Sequence, residues 1–546
     1  MLFFCNEREE NMKNMKKKIV GILCLAMTVP MLATGCGKDD KVASKEDGIK
    51  IYIGTSIFDE TLDPIKGGFS YGYPFINNAL LKVNSDSKYV GDLAKDWKVS
   101  DDSLTYTFDL NKDVKFSDGS EFNAEDVVFT YETVKKNQAD NENVDLTYLD
   151  SVKAIDDDTV EFKLSKPYSP FLDTTALLQI VPSDAYDSKT FDTQPIGTGA
   201  YKVAQYDSNQ QIILNENENY FGKKPEIDKV TIVNMEPDSA FAAAKAGDLD
   251  LVMVGTNYAD EKISNMHLEK LETMDVRNIS LPVRKVSEEK NSEGKMVKVG
   301  NNVTSDIAVR KALSIGIDRK KIIENSSDGI GVPSVNFTDN LVWASTDTYE
   351  DNKVEEAKKL LDDAGWKVSK ETGIREKDGQ KCTFDLYASA GDTDRYNLCV
   401  AVAENAKDLG IDIKVKTATW DEIVTLQNTE AVIWGWGQYS PTVLSSLFKS
   451  DLFLTGGYDN SAGYSNPEVD SKIQEAISSN NQEEAIESWK EVQKLAEKDY
   501  TNLFIVNIEH CYFVNDNLDI SLDTQIPHPH GHGTPVICNI ADWKMK

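Results

Sequence analysis

Histidine and cysteine are both scarce in this chain, five and seven respectively among 546 residues. No two cysteines form a C-x-x-C pair, which weighs against a structural zinc site. The H-E-x-x-H, Walker A and EF-hand spacings are missing as well, so metalloprotease, phosphate-loop and calcium-loop chemistry have no signature here. Basic residues are outnumbered, 59 Lys+Arg against 91 Asp+Glu, giving a net charge of −32 and an isoelectric point near 4.6. Such a surface repels nucleic acid and anionic lipid, and its plainest consequence is solubility outside the cell. There is no short-period repeat and no low-complexity run.

What the N-terminus contains is more informative. Residues 12–18 (MKNMKKK) are basic, 19–33 are apolar, and the run ends in Leu32-Ala33-Thr34-Gly35-Cys36. The apolar run falls short of the roughly 20 residues that a membrane span needs. Its end is similar to the lipobox of bacterial lipoproteins, a small residue before the cysteine and polar residues at once after it. Residues 1–35 are therefore expected to be removed as a signal peptide, Cys36 to be acylated, and residues 36–48 to tether the chain to the outer face of the membrane. Residues 1–11 read as an upstream extension, because Met12 or Met15 would start a more typical signal. The first 35 residues hold five basic and three acidic side chains, so the remaining 511 carry −34. Cys382, Cys399, Cys511 and Cys538 read as buried free thiols, with disulfide pairing left open.

A mature chain of that length exceeds one core, so two or more lobes are expected. Residues 50–53, 104–110 and 160–164 alternate apolar and polar side chains as half-buried strands do. Asn123 followed by Glu125 and Asp126 caps a helix through VVFTYETV. Residues 75–81 read as the start of an apolar helix. Strands follow at 212–217 and 230–235, then a helix at 240–246 closed by Gly247, then a strand at 249–252. Residues 291–294 form an exposed hairpin turn. Helices are expected at 306–317, 354–364, 394–409 and 483–497, and strands at 413–415, 431–434 and 502–506. Helices alternate with strands throughout, so the fold class is mixed α/β.

Two patterns suggest catalysis and fail their context. Gly68-Phe69-Ser70-Tyr71-Gly72 matches the nucleophile elbow G-x-S-x-G, but no strand leads into Ser70, so a surface-anchored serine hydrolase is only an alternative reading. Gly197-Thr198-Gly199 lacks the third glycine and the later acid of a dinucleotide fingerprint and reads as a turn. The remaining oddity is Ile526-Pro527-His528-Pro529-His530-Gly531-His532, where three of the five histidines alternate with proline and glycine. They form either a rigid solvated loop or a metal-facing cluster.

The stretch GDLAKDWKVSDDSLTYTFDLNKDVKFSDGSEFNAEDVVFTYETV at 91–134 closely resembles the signature region of family 5 extracellular solute-binding proteins. The resemblance continues in order through PIGTGAYKVAQY, NENENYFGKKPEIDKV, AKAGDLDLV, IAVRKALSIGIDRKKI, EEAKKLLDDAGW, LGIDIKVKT and GYSNPEVDSKIQEA, nearly the whole mature chain. It implies a two-lobe periplasmic-binding-protein-like fold of the class II or cluster C type, with an extra subdomain on lobe I and a hinge. Mapped here, lobe I would be 49–82, 192–278 and 500–546, its subdomain 83–191, and lobe II 279–499. It further implies the binding component of an ABC importer for peptides or nickel, which is not an enzyme and needs no cofactor. Its cargo would be a small peptide, Ni²⁺ or a nickel chelate, its partners the membrane permease subunits, and its state a monomer.

One departure from the family pattern bears on cargo. Peptide binders of the family usually place an aspartate before the tyrosine and proline of the motif, to pair with the peptide ammonium. Here Trp434-Gly435-Trp436-Gly437-Gln438-Tyr439-Ser440-Pro441 has Gln438 at that place, which loses the charge-assisted part of such a contact. The stretch is more similar to the W-G-x-x-Y-x-P of nickel-binding relatives. The resemblance therefore implies Trp434, Trp436, Gln438, Tyr439 and Tyr71 as ligand contacts, with His528, His530 and His532 approaching from lobe I as candidate nickel ligands.

Overall fold

Two long strands carry the architecture. The computed structural model describes residues 48–59, 61–68, 75–138, 141, 143–337, 341–346, 348–530 and 534–546, all within one compact unit, Lys45–Lys546. Strand Met266–Ser280 pairs antiparallel with Asn502–Asn515, and the largest sheet is built outward from this pair in both directions. On one side Leu251–Val254 pairs with Asn502–Asn515 and lies parallel to Ile49–Tyr52. Lys229–Val233, Gln211–Glu216 and Tyr201–Asp207 complete that wing. On the other side Ala431–Trp436 pairs with Met266–Ser280, followed by Thr383–Ser389 and Asp412–Ala418 in parallel. The ladder between the two long strands breaks between Glu272 and Val276, where the intervening Thr273 bridges His528 instead. A bulge at a crossing of this kind bends the strands and raises their twist. The result is a two-lobe mixed α/β fold with a hinge.

Each wing has its own hydrophobic interior. Ile51, Tyr201, Tyr512 and Trp543 belong to one, and Trp366, Leu386, Val402 and Leu409 to the other. A third cluster, with Phe108, Tyr131 and Phe162, fills the extra subdomain. That subdomain is a four-stranded antiparallel sheet of Ala94–Val99, Thr105–Leu110, Thr159–Leu164 and Leu149–Asp156, covered by helix Ala124–Lys136. Local chemistry sets these elements. Thr105–Leu110 alternates half-buried and buried positions, and Asn123 and Asp126 form a reciprocal capping box at the helix start.

Residues 75–81 depart from the helical expectation. Their apolar side chains are buried, but Asn77 and Asn78 are buried among them, and Asn78 donates to Asp92 Oδ2 at 2.8 Å. The carbonyls of Phe75 and Ile76 accept the N–H groups of Tyr201 and Gly199, both at 2.8 Å, and the segment is a turn and irregular stretch that leads into strand Leu81–Val83. This explains Gly197: a Cβ there would collide with the Ile76 carbonyl oxygen. The C-terminal tail folds into 3-10 turns over Thr534–Asp542 that bury Val536, Ile537 and Ile540 in the first wing. Cys382, Cys399 and Cys511 are buried free thiols and Cys538 is partly exposed. Burial pushes the Cys382 and Cys538 thiols up to about 12 and Cys511 to about 11, which leaves them unreactive. Among the described residues no helix is long and apolar enough to cross a membrane. Cys36, Ser70, Tyr71 and His532 lie outside the described residues.

Candidate functional site

A cavity of about 710 Å³ opens where segments of both wings face each other. One wall is the loop after strand Ala431–Trp436, with Gln438, Tyr439 and Ser440. The others are the subdomain and the strand leading into it (Lys82, Tyr89, Asp173), the 220–223 turn, and the C-terminal segment from Asp523 to Asp542. That volume lies in the range of about 300–1,000 Å³ usual for small-molecule sites. Its charged lining is two lysines against four aspartates, Asp92, Asp173, Asp523 and Asp542. Lys82 is paired with Asp92 at 3.7 Å and Lys223 with Asp542 at 3.6 Å. Among the described residues the lining holds no arginine and no histidine.

Asp173 is the unusual member. It sits in the first turn of the short helix Phe171–Leu177, which begins after Pro170 and buries almost every side chain. The Tyr89 hydroxyl donates to its Oδ1, and the Ser440 side chain also faces this carboxyl. Burial pushes this carboxyl up to about 6, against the opposing pull of Ser440 and Tyr89. Sequence reading missed Asp173. Its one visible signal is a lone acid between Phe171-Leu172 and Thr174-Thr175-Ala176-Leu177 in an otherwise uncharged stretch.

The W-G-W-G-Q-Y run divides its side chains between interior and cavity. Trp434 is buried, its indole N–H donates to Ser280 Oγ at 2.9 Å, and its ring stacks on Trp420 at 5.9 Å. Trp434 and Trp436 do not line the cavity, whereas Gln438 and Tyr439 do. The Tyr439 hydroxyl donates to the Pro527 carbonyl at 3.1 Å, and the Trp343 indole donates to the Tyr439 carbonyl at 2.6 Å, so Tyr439 is held by both segments. Gln438 Oε1 is buried without a partner among the described residues. The two glycines of the run have a steric reason. A Cβ at Gly435 would collide with the Arg277 guanidinium and stand 2.8 Å from Arg395 Nη2. One at Gly437 would lie 2.9 Å from both Asp275 Cα and the His530 nitrogen.

Behind that run lies a buried ionic cluster. Arg277 and His530 both bind the Asp275 carboxylate, the latter through Nδ1 at 2.6 Å, and Arg395 pairs with Asp392. Burial disfavours the charge on Asp275, but Arg277, His530 and Arg395 hold its carboxyl far below the usual carboxylate range.

The structure separates the described histidines of the C-terminal loop. His528 is fully buried, with Nδ1 3.1 Å from His510 Nδ1 and Nε2 3.2 Å from Gln525 Oε1. Its backbone fills the break in the two long strands: His528 N–H donates to the Glu272 carbonyl at 3.0 Å and Met274 N–H to the His528 carbonyl at 2.9 Å. Burial, then His510, holds the His528 imidazole well below its usual value, so it stays neutral. His530 is spent on Asp275, and its N–H donates to the Gly437 carbonyl at 2.9 Å. The expectation of a shared metal-facing cluster therefore does not match where these two rings sit, because alternation along a strand-like segment turns each ring to a different interior partner. Among the described residues no group of three or more His, Cys, Asp or Glu side chains is placed to hold a metal ion.

The family model described as bacterial extracellular solute-binding proteins, family 5 Middle, matches residues 88–451. This chain belongs to that family. Protein XP55 of Streptomyces lividans is 32% identical over 512 residues, covering 90% of this chain and 89% of the relative. The oligopeptide-binding protein AppA of Bacillus subtilis is 29% identical over 440 residues, 76% and 78% of the two chains. The solved structure of AppA with a nonapeptide shares the fold at a TM-score of 0.67 and 24% identity, covering 91% of this chain and 98% of that one. NikZ of Campylobacter jejuni, solved with Ni(L-His), does so at a TM-score of 0.73 and 22% identity, covering 92% and 99%. The fold is two-lobed, as in these family 5 structures.

Proposed function

We propose that this family 5 protein is the extracellular, lipid-anchored binding component of an ABC importer and that its cargo is a small peptide. The observation that carries the reading is the lining of the 710 Å³ cavity: net acidic, with backbone-like polar groups and aromatic side chains such as Tyr89, Tyr220, Phe221 and Tyr439. Aromatic walls contribute apolar area with little loss of rotamer freedom, and scattered amides and hydroxyls suit a peptide main chain. An anionic chelate would meet four carboxylates there and two lysines already paired. The names of the similar proteins, among them an oligopeptide-binding AppA, support the same reading.

In this reading Cys36 carries the acyl anchor after residues 1–35 are removed. Lobe I comprises 49–82, 192–278 and 500–546, with its subdomain at 83–191, and lobe II comprises 279–499. The hinge works at the bulge between Glu272 and Val276. Peptide entry favours the closed arrangement because contacts to both lobes exist only there, and the permease subunits recognise the closed monomer. No catalytic step and no resident cofactor is assigned. A nickel complex is the second reading, favoured by one observation: the cavity wall includes Ile526, just before the histidine-bearing loop. Native mass spectrometry of the full chain purified without refolding, with metal analysis of the same sample, separates the two. Bound masses of a few residues are expected. Stoichiometric nickel with no peptide mass would overturn the peptide reading.

A further inference from the structure

The C-terminal end of helix Pro467–Ser478 is capped by a distant part of the chain. Its last turn, Glu475-Ala476-Ile477-Ser478, carries no basic side chain, and the carbonyls of a helix end need donors from elsewhere. Ser169 supplies two of them: its N–H donates to the Ile477 carbonyl and its Oγ to the Ala476 carbonyl, both at 2.8 Å. In the turn after the helix, the Asn480 carbonyl accepts from Ser103 Oγ at 3.2 Å, and Asn480 Nδ2 donates to the Asp101 carbonyl at 3.2 Å. Ser103 is held in the left-handed region at φ 51°, with its N–H on the Ser100 carbonyl at 2.8 Å. A serine keeps that conformation only where its surroundings hold it. Ile477 packs against the subdomain's hydrophobic cluster and equally against a cluster around Trp343 and Trp489. Ser169 and Ser103 are 8% and 3% exposed, so both hydroxyls act in a place from which water is largely excluded.

We propose that Ser169, Ser103 and Asn480 form a clasp between the subdomain and lobe II that favours closure without touching cargo. The clasp rests on the two-lobe division proposed above, which puts 83–191 and 279–499 in bodies that part when the hinge opens. The described residues Ser103, Ser169, Ile477 and Asn480 do not line the 710 Å³ cavity. Their bonds therefore add the same amount to closure whatever the cavity holds, and they act in the empty protein as well. Two consequences follow from that independence. The empty protein populates the closed arrangement alongside the open one, and the clasp multiplies the affinity for every cargo by a common factor. Choice among cargoes is left to the cavity. Ser169 is a positioning residue in this scheme, since it works through the lobe contact alone.

The test measures distances between spin labels on the full chain, attached at Lys153→Cys in the subdomain and Glu487→Cys in lobe II, both exposed positions. Protein stripped of cargo should show a short and a long distance. Ser169→Ala in that background should lower the ratio of short to long about 2- to 10-fold, the worth of one hydrogen bond. Asn480→Ala, at an exposed position that tolerates substitution, should shift the ratio the same way by less. A pool of random tri- to hexapeptides, read by mass spectrometry of what is retained, should bind Ser169→Ala more weakly by one common factor, with the rank order of peptides unchanged. An empty wild type without the short distance overturns the clasp, as do variants whose distances match the wild type. A loss confined to some peptides overturns its independence of cargo. The comparison of empty proteins does not depend on what the cargo is. A pool that neither binds nor moves the distances therefore counts against the peptide reading, while the empty proteins still decide the clasp.

Discussion

Asp173→Asn should make the empty protein more stable at neutral pH. The carboxyl is raised from 3.8 to about 6 by burial, so the folded state holds its proton more tightly than the unfolded state does. A group of this kind favours folding at low pH, and that advantage is lost as pH rises from about 4 through about 6. Some two pKa units correspond to about 3 kcal/mol of destabilisation at pH 7.5 that the uncharged amide does not suffer. The amide would keep an oxygen for the Tyr89 hydroxyl, so the hydrogen bond survives. With an unfolding entropy of about 2.1 cal/mol/K per residue over roughly 500 residues, 3 kcal/mol raises Tm by about 3 °C, and by more if one lobe melts separately. The assay is calorimetry of ligand-free wild type and variant from pH 4.5 to 7.5. Other groups titrate in that window. His528 opposes the trend because its depressed value costs stability below about 6.5, whereas Asp92 is raised by burial despite Lys82. The tyrosines around Asp173, namely Tyr89, Tyr106 and Tyr168, are all raised and stay neutral. Only the difference between the two curves isolates Asp173. It should be largest at pH 7.5 and shrink to about a third of that by pH 4.5, where the unfolded carboxyl is still mostly ionised. A variant that melts below the wild type at pH 7.5, or a difference that does not change with pH, would refute the reasoning.

Replacing the fully buried His528 by alanine removes its contacts with His510 and Gln525 and should cost about 2–4 kcal/mol in chemical denaturation, with metal affinity unchanged; a neutral effect on stability would show that the buried ring does not support the fold. Gly435→Ala forces a methyl group against the paired Arg277 and Arg395 guanidiniums and should lower stability by about 1–3 kcal/mol, read by the same assay. Cys36→Ser should release the protein from cells into the medium, and a variant still bound to membranes would remove the lipid anchor. Small-angle scattering should show a smaller radius of gyration with saturating peptide than without, and an unchanged radius would count against hinge closure.

Much of the architecture was legible because local chemistry and tertiary structure agree. The period-two pattern of 104–110 appears as strand Thr105–Leu110. The Asn123 cap opens helix Ala124–Lys136, and the helix expected at 483–497 runs from Gln482 to Glu497. The order of family blocks carried the two-lobe fold. Where pattern and context part, the sequence misled or was silent. Residues 75–81 are apolar enough for a helix, yet the segment packs against Gly197 and Gly199, more than a hundred positions away, and its backbone bonds there instead of to its own next turn. Strand Met266–Ser280 escaped notice, and only 502–506 of Asn502–Asn515 was read as strand, because both faces of much of the two are buried, which erases the alternation that marks a strand. The histidine-rich loop announced itself by composition, but which partner each ring meets depends on a bulge between strands some 240 residues apart in sequence. Composition, periodicity and capping residues thus determined element types and fold class, since those follow from neighbours within a few positions. The lone buried carboxyl at Asp173, its partners Tyr89 and Ser440 and the cavity it lines were decided by tertiary structure, because burial is a property of distant segments brought together.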